Sequence, residues 1–297
     1  MKKQSSNGRR SAMKKVGATT ALGFLAPSLF NRINAAEEQL PNELKGNINH
    51  SVCRWCYNEI EFEDLCVAAK EIGLKSIELT GPEEWPILKK HGLDCALPWG
   101  AGKGIENGWN NPELHDELVK SYEEVIPKVA DAGYKQIICF SGNRRGLDDE
   151  QGIVNCVEGL KRVMDTAEKH DVIMCLELLN SKVNHKDYQA DHTAWGAEVC
   201  KGVGSEKMKL LYDIYHMQIM EGDVIATIRE FHPYISHYHT GGVPGRNEID
   251  ETQELYYPAI MRAIVETGYK GYVGQEFIPK RDDKLASLKQ GVEICDV

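Results

Sequence analysis

Four acidic or imidazole side chains occupy equivalent positions in the C-terminal half of the chain. Glu177, Asp213, His239 and Glu276 each follow a short apolar run that has the composition of a buried strand. A charged group at the end of a buried strand is costly unless a partner compensates it. Three carboxylates and an imidazole that converge would also repel one another without a cation between them. We therefore predict that these four residues bind one divalent metal ion.

The composition of this ligand set narrows the choice of metal. A site rich in oxygen ligands with one imidazole suits Mn²⁺ or Mg²⁺ and also accepts Co²⁺ or Zn²⁺. The sequence thus predicts Mn²⁺ or Mg²⁺, with Co²⁺ and Zn²⁺ as alternatives. For any one of these residues alone, a strand-end polar group bonded to a loop or to water is the better explanation. The recurrence on four consecutive predicted strands favours the metal.

Glu177 and Glu276 also form a pair that can move protons. In a closed barrel their strands lie on different sides of the mouth, so the two carboxylates can flank a substrate. One removes a proton beside a carbonyl group, and the other returns a proton to the neighbouring carbon or to the opposite face. A metal beside the substrate oxygens stabilises the enediolate between the two steps. This is the chemistry of aldose–ketose isomerisation and of epimerisation.

These residues need a scaffold that brings strand ends together. From about residue 47, short runs rich in Ile, Val, Leu and Tyr alternate with amphipathic segments, as in a parallel sheet of βαβ units. The predicted strands are 47–53, 75–79, 93–97, 135–140, 172–178, 208–214, 234–239 and 271–276. The predicted helices are 62–72, 83–91, 112–132, 149–169, 190–203, 221–232, 254–267 and 283–294.

Eight strand–helix units in about 250 residues predict a single α/β domain, a (β/α)₈ TIM barrel. In such a barrel the loops after the strands build the active face, so loops 98–109, 180–191 and 240–246 are expected there. A doubly wound open sheet is the alternative, but no GxGxxG follows the first predicted strand. Glu78, at the end of the second predicted strand, is expected to contact the substrate or to orient the groups that do.

Aromatic residues in these loops are candidates for sugar binding. Trp55, Trp99 and Trp109 follow predicted strands or lie in the loops after them. An indole ring can stack on the apolar face of a sugar, and packing between loops explains the same residues equally well. We predict Trp99 as a substrate-binding residue.

The segment 212–222 reads YDIYHMQIMEG. It closely resembles the signature of the sixth strand in the hydroxypyruvate isomerase family, which belongs with the ketose 3-epimerases among the xylose-isomerase-like TIM barrels. GQEF at 274–277, PGRNEI at 244–249 and Leu176-Glu177 with Asn180 are similar to other motifs of that family. The likeness covers about residues 47–295 and is strongest in the C-terminal half.

The resemblance implies roles for particular residues. It implies that Glu177, Asp213, His239 and Glu276 are the metal ligands and that the two glutamates are the catalytic acid and base. It also implies that His216 and Arg246 contact the substrate. His239 stands where hydroxypyruvate isomerases usually have Gln and matches the epimerases instead. Segment 181–191 matches neither group, so the substrate stays open.

We therefore predict a divalent-metal-dependent isomerase or epimerase of a small sugar or hydroxy-carbonyl compound. Two alternatives remain. A lyase or dehydratase acting on a keto-sugar or 3-keto glycoside shares the first proton transfer but expels a leaving group. A sugar-binding protein without catalytic activity would not need both Glu177 and Glu276. Family members are often dimers or tetramers, so the resemblance is also compatible with a homo-oligomer.

Residues 1–36 have the composition of an export signal. They contain seven Lys and Arg and no Asp or Glu, an apolar run at 16–30, and a small-residue end at 34–36. The pair Arg9-Arg10 resembles a twin-arginine signal. We predict a cleaved signal, an exported, periplasmic catalytic domain of residues 37–297, and no stable membrane span after processing, because the apolar run is shorter than the ~20 residues a span needs. An uncleaved anchor and a basic tail are the alternatives.

The rest of the chain is strongly acidic, with 28 Lys and Arg against 45 Asp and Glu, a net charge of −17. Such a surface repels phosphate backbones, which disfavours nucleic acid as a partner and a DNA-cleaving enzyme of the endonuclease IV kind. Of the nine cysteines, Cys95, Cys139 and Cys175 lie in apolar runs and are expected to be buried. Cys53 and Cys56 could form a disulfide in an oxidising compartment.

Overall fold

The computed structural model describes residues 43–297. The predicted export signal at 1–36 lies outside the described residues. The described chain contains one seven-stranded parallel sheet. Its strands are β1 (Asn49–Cys53), β2 (Ser76–Glu78), β3 (Gln136–Cys139), β4 (Ile173–Glu177), β5 (Met208–Asp213), β6 (Ile235–Thr240) and β7 (Tyr272–Gln275). Nearly every strand residue is buried, as expected of parallel strands that are covered on both faces.

The strand order is β2-β1-β7-β6-β5-β4-β3. The first strand pairs in parallel with both its successor, β2, and the last strand, β7. Sequential neighbours with the first strand beside the last describe a sheet that curls into a barrel rather than an open, doubly wound sheet. The TIM-barrel-like α/β fold that the alternation predicted is confirmed, and the runner-up is wrong.

The predicted strand at 93–97, the third of the eight along the chain, is the exception. It forms an isolated parallel bridge between Ser76 and Asp94, and the Leu79 amide donates to the Leu97 carbonyl at 2.9 Å. On its other side the Ile138 amide donates to the Pro98 carbonyl at 3.3 Å. The segment therefore lies between β2 and β3, where the eighth strand of a barrel belongs. It is irregular because Pro98 has no N–H to donate, and because a side chain, the Ser76 hydroxyl, accepts from the Ala96 amide.

Helices cover the outside of the curled sheet. They are α1 (Phe62–Ile72), α2 (Trp85–Lys90), α3 (His115–Asp131), α4 (Asp149–Lys169), α5 (Thr193–Val203), α6 (Ile214–Met220), α7 (Val224–Phe231), α8 (Tyr257–Glu266) and α9 (Lys284–Cys295). Their local signals are those of ordinary helices. The Asp148 side chain accepts from the Gln151 amide at the start of α4, and Gly73 ends α1 with φ of 96°.

One helix, α6, was not predicted. It begins directly after β5, and the Asp213 side chain caps it by accepting from the His216 amide at 3.1 Å. Seven residues make only two helical turns, too few for an apolar period to stand out in the sequence. Asp213 thus both ends a strand and starts a helix, which turns His216 back toward the barrel mouth.

No helix among residues 43–297 is long and apolar enough to cross a membrane. All nine cysteines lie in this range, and all are buried and free. The predicted burial of Cys95, Cys139 and Cys175 is confirmed. Cys53 and Cys56 are not joined to each other in this structure.

Candidate metal centre

The structure brings Glu177, Asp213, His239 and Glu276 together at the carboxyl ends of four consecutive strands. Asp213 lies opposite His239 in the register of β5 and β6, and the Glu276 amide donates to the Thr240 carbonyl at 3.1 Å. One ligand-type atom from each of the four side chains lies within 4.8 Å of all the others. Parallel pairing of these strands places the four side chains together, as predicted from their positions at the strand ends.

The four side chains are almost completely buried. His239 Nδ1 lies 2.8 Å from Glu276 Oε2 and 3.7 Å from Glu177 Oε1, yet it has no hydrogen-bond partner of acceptable geometry. A buried nitrogen without a partner, facing carboxylates, fits a ligand of a divalent cation. The donor set of three carboxylates and one imidazole therefore suits the predicted metal.

The pKa shifts of the three carboxyl groups show how their negative charges are compensated. Burial raises the pKa of Glu177 and raises that of Asp213 to about 8. Burial also opposes ionisation of Glu276, but the charges of Arg246 and His239 hold the pKa of Glu276 well below its usual range. The three carboxylates thus differ in how well their negative charge is compensated.

Arg246 supplies part of this compensation. Its Nη2 lies 3.3 Å from Asp213 Oδ2 and also donates to Glu276 Oε2. The guanidinium lies over two aromatic rings, 5.2 Å from the centroid of Trp55 and 5.5 Å from that of Tyr215. The residue predicted from the family resemblance to bind substrate therefore contacts two of the four metal-ligand candidates directly.

Glu78 lies behind His239, away from the cavity. Its Oε1 accepts from His239 Nε2 at 2.6 Å and from His237 Nε2 at 2.7 Å. Because Nε2 of His239 donates to this carboxylate, Nδ1 is the nitrogen that faces the acidic cluster, where a divalent cation would replace its proton. Glu78 was predicted to bind substrate or to orient the groups that do. Glu78 is completely buried against the two imidazoles, so its position is that of a residue that orients His239 and not of one that contacts substrate.

Gly274 makes room for this contact. A Cβ atom at this position would lie 2.6 Å from Glu78 Oε1 and 2.9 Å from His239 Cδ2. Any other residue would push into the bond between the two side chains. The absence of a side chain at Gly274, in the GQEF segment, therefore permits the hydrogen bond between Glu78 and His239.

A second set of donors lies on the far side of His239. Cys53, Glu78 and His239 also have ligand-type atoms within 4.8 Å of one another. That set uses Nε2 of His239, which already donates to Glu78, and burial raises the pKa of the Cys53 thiol well above its usual range. A neutral thiol is a poor ligand, so the set of four fits a cation better.

His216 is fully buried beside Asp213. Its Nδ1 accepts from the Asn180 amide at 3.1 Å, and its Nε2 lies 3.6 Å from Asp213 Oδ2 without a hydrogen bond. Burial holds the pKa of His216 well below its usual range. A neutral imidazole with this arrangement presents an N–H from Nε2 toward the centre.

A cavity of about 430 Å³ opens beside the cluster. Glu177, Arg246 and Glu276 line it, as does Trp99, so these four predicted site residues share one space. Trp109 does not: it is buried, and its ring packs against Tyr122 with centroids 5.4 Å apart. Packing, rather than sugar stacking, explains Trp109.

Two residues of this cavity were not assigned their roles from the sequence. Trp55 donates from Nε1 to Glu276 Oε1 at 2.8 Å, and His185 lines the cavity with its ring 5.3 Å from that of His216. His185 lies in the loop after β4, where no strand or helix period marks which side chains face inward. The mismatch of segment 181–191 to both family groups was the one available signal.

Comparison with known proteins places this site in a family. Residues 66–295 match the model of the xylose isomerase-like TIM barrel family, about three quarters of the chain. This chain belongs to that family. As a xylose isomerase-like TIM barrel, it has relatives among isomerases. It is 27% identical to hydroxypyruvate isomerase of Escherichia coli K12 over 241 residues, which cover 75% of this chain and 90% of that protein.

Other similarities are shorter or more distant. A human relative is 33% identical over 126 residues, so this chain spans about half the length of that protein, 46%. The structure of an AP endonuclease of family 2 from Brucella melitensis has a TM-score of 0.73 and 24% identity, covering 81% of this chain and 97% of that chain. The last likeness concerns the fold. The similarity to hydroxypyruvate isomerase of E. coli supports the prediction that this chain is an isomerase or epimerase.

Proposed function

We propose that this chain is a divalent-metal-dependent isomerase or epimerase of a small sugar or hydroxy-carbonyl compound. The observation that carries the proposal is the placement of Glu177 and Glu276 in the wall of one cavity, on either side of His239 Nδ1. Two carboxylates beside a bound substrate can exchange protons with neighbouring carbons. The similarity to an isomerase over most of both chains supports the same reaction class.

In this proposal Glu177, Asp213, His239 and Glu276 hold the cation, with Mn²⁺ or Mg²⁺ the metals that suit the donor set. When bound, a divalent cation supplies Lewis-acid stabilisation of negative charge on the substrate oxygens. Glu78 keeps the Nε2 proton of His239 in place, so that Nδ1 stays available. His216 offers a neutral N–H on the same side.

The two glutamates have different surroundings, which suggests different roles. Glu177 lies 3.7 Å from His239 Nδ1, and burial raises its pKa, which favours its protonated form. Glu276 is held by Trp55 on one oxygen and by Arg246 on the other. In one direction Glu276, which Arg246 keeps ionised, removes the proton beside the carbonyl, and Glu177 gives its own proton to the neighbouring carbon or to the opposite face. The reverse reaction starts from the exchanged protonation states.

A lyase or dehydratase is the second candidate, and His185 favours it. The His185 ring lines the same cavity as both glutamates, and no residue of the described chain hydrogen-bonds to its side-chain nitrogens. A third proton-transfer group beside the base is what protonation of a leaving group requires. The first step would be the same as in the isomerase.

Proton NMR in D₂O tests both candidates. The Mn²⁺-reconstituted protein is incubated with hydroxypyruvate, ketoses and 3-keto glycosides, and the metal is chelated before spectra are recorded. We expect deuterium beside the carbonyl, and its loss with EDTA, with Glu177→Gln and with Glu276→Gln but not with Glu198→Gln on the surface of α5. Loss of a leaving group would identify a lyase. Absence of exchange with every compound, in protein that holds metal, would refute the proposal.

We also propose that residues 1–36 direct export into the periplasm by the twin-arginine route, since their composition is that of such a signal. Replacing both Arg9 and Arg10 by Lys should retain the precursor inside the cell. Fractionation that finds the variant exported as efficiently as the parent would exclude this route.

A further inference from the structure

The cavity beside the two glutamates is larger than a three-carbon substrate requires. Its 430 Å³ corresponds to about 14 water molecules at ~30 Å³ each. Hydroxypyruvate, with seven covalently linked non-hydrogen atoms, would leave most of that space unfilled. The residues that line the remaining volume indicate which kind of substrate would fill it.

The polarity of the residues that line the cavity differs from one side of the barrel to the other. The strands from β4 onward, with the loops after β4 and β6, contribute mainly polar residues and one leucine: Glu177, Leu179, His185, Arg246 and Glu276. The neighbouring elements β2, the 93–98 segment and β3 contribute apolar residues at or after their ends. These are Leu79, Trp99, Ile105, Ile138 and Phe140. A substrate that reaches from one side to the other therefore meets charge at one end and hydrocarbon at the other.

Two tryptophans stand at the mouth of this space. Trp55 is 37% exposed and Trp99 is 38% exposed, whereas most large apolar side chains of the domain are buried. Both rings are held in place: Trp99 packs against Phe140 with centroids 5.7 Å apart, and Trp55 donates to Glu276. Fixed, exposed aromatic faces next to a polar centre are typical of small-molecule sites.

The backbone conformation of Leu79 is a second observation that points to a ligand site at this wall. Its φ of 57° is in the left-handed region, which a leucine rarely adopts. Arg246, on the opposite side of the cavity, also has a left-handed φ, 59°. Strained backbone of this kind persists where the surroundings require the side chain to point in one direction, and it clusters at ligand sites.

We infer that the substrate is a hydroxy-carbonyl compound of about six carbons or more, which turns an apolar face toward Trp99 and Leu79 beyond the reacting carbons. That face is the C–H face of a sugar ring or an apolar substituent on it. The inference rests on the proposed function, because Glu177 and Glu276 define the reacting end. The far end is recognised by burial of hydrocarbon, since the side chains that face it are mainly apolar.

The test compares substrates of different size in the D₂O exchange assay. Hydroxypyruvate, ketohexoses, and methyl and phenyl 3-keto-β-D-glucosides are tested with the parent protein, Trp99→Ala and Trp99→Phe. We expect kcat/KM for the best larger compound to exceed that for hydroxypyruvate at least tenfold. Trp99→Ala should lower kcat/KM for that compound about tenfold, lower that for hydroxypyruvate by a smaller factor, and be largely rescued in Trp99→Phe. Tyr256→Ala, which removes an exposed aromatic outside the cavity, is the control.

Hydroxypyruvate as the best substrate, with no selective effect of Trp99→Ala, would overturn the inference and leave the proposed function standing. A preference of the parent for the phenyl over the methyl glucoside would identify the apolar substituent as the occupant, and equal rates would identify the sugar ring. If no compound exchanges, the proposed function fails, and saturation-transfer NMR of phenyl 3-keto-β-D-glucoside still tests the inference. Binding that weakens in Trp99→Ala supports it, and absence of binding overturns it.

Discussion

Glu78 at the end of β2 accepts a hydrogen bond of 2.6 Å from His239 Nε2 on β6, across the interior of the barrel. The two strands are not neighbours in the sheet, so the bond is made by side chains alone. It determines which nitrogen of His239 faces the three carboxylates. The geometry of the candidate metal centre therefore depends on a residue that touches neither the cavity nor the other three ligands.

Replacing Glu78 by Gln should lower the affinity for Mn²⁺. The amide keeps the shape of the side chain but cannot accept well from both His237 and His239, so the orientation of His239 is less well defined. Loss of such a partner typically costs 10- to 100-fold in metal affinity. Isothermal titration with Mn²⁺ measures the change, and circular dichroism checks the fold. Affinity within twofold of the parent, with Glu198→Gln as the surface control, would argue against an orienting role.

Substituting Gly274 by Ala should disturb the same contact from the other side. The added methyl group meets Glu78 Oε1 and His239, and crowding of this kind costs about 1–3 kcal/mol. Gly202→Ala is a matched control, because its Cβ would lie 2.6 Å from Val157 Cγ2, remote from the centre. We expect both variants to lower the melting temperature. Weakened Mn²⁺ binding is expected only in Gly274→Ala, and equal binding in the two variants would contradict this account.

Arg246 and a bound cation should contribute to stability through the same carboxylates. Arg246→Met leaves Asp213 and Glu276 buried without their cationic partner, a change that typically costs about 3–5 kcal/mol. A divalent ion at the centre would restore much of that loss. Thermal unfolding with and without Mn²⁺ should show a larger metal-induced rise in Tm for the variant than for the parent. Equal rises would mean that the cation binds elsewhere.

His50 should make the domain less stable in mild acid. Burial lowers the pKa of His50 to about 4, despite the nearby Asp296 carboxylate, and Lys75 adds to the lowering. The unfolded chain takes up a proton on His50 as the pH falls through about 6.5, while the folded chain does so only near 4. Stability contributed by the neutral imidazole is thus present above pH 6.5 and lost between 6.5 and 4, by about 1.4 kcal/mol per pH unit at most.

Denaturant unfolding of the parent and of His50→Gln at several pH values measures this loss. The difference in the free energy of unfolding between the two proteins should change steadily across that window and level off above pH 6.5. His232→Gln, at an exposed histidine, is the control for the substitution itself. A constant difference for His50→Gln would show that His50 does not titrate as its burial requires.

Much of this site was predictable because its residues lie where a strand ends. Glu177, Asp213, His239 and Glu276 follow apolar runs, and parallel strands bring such ends to one edge, so local pattern sufficed. The partner of Glu78 was not predictable, since it lies 161 residues away and is chosen by the packing inside the barrel. His185 sits in a loop, where sequence period gives no direction to a side chain.

The fold shows the same division. Helices α1 and α4 have the predicted bounds because their apolar periods are long and each has one clear end signal, Gly73 after α1 and Asp148 before α4. The 93–97 segment has the composition of a strand, yet its pairing is irregular. Pro98 has no N–H to donate, and the Ala96 amide donates to the Ser76 hydroxyl instead of to a backbone carbonyl. Such substitutions of one hydrogen-bond partner for another are decided in three dimensions.

Anomalous diffraction from crystals grown with Mn²⁺ tests the central claim most directly. We predict one peak per chain, about 2.0–2.4 Å from His239 Nδ1 and from one oxygen each of Glu177, Asp213 and Glu276. His239 should still donate from Nε2 to Glu78. A peak beside Cys53 and Glu78, or ligation through Nε2 of His239, would contradict the assignment of the centre and the orienting role of Glu78 together.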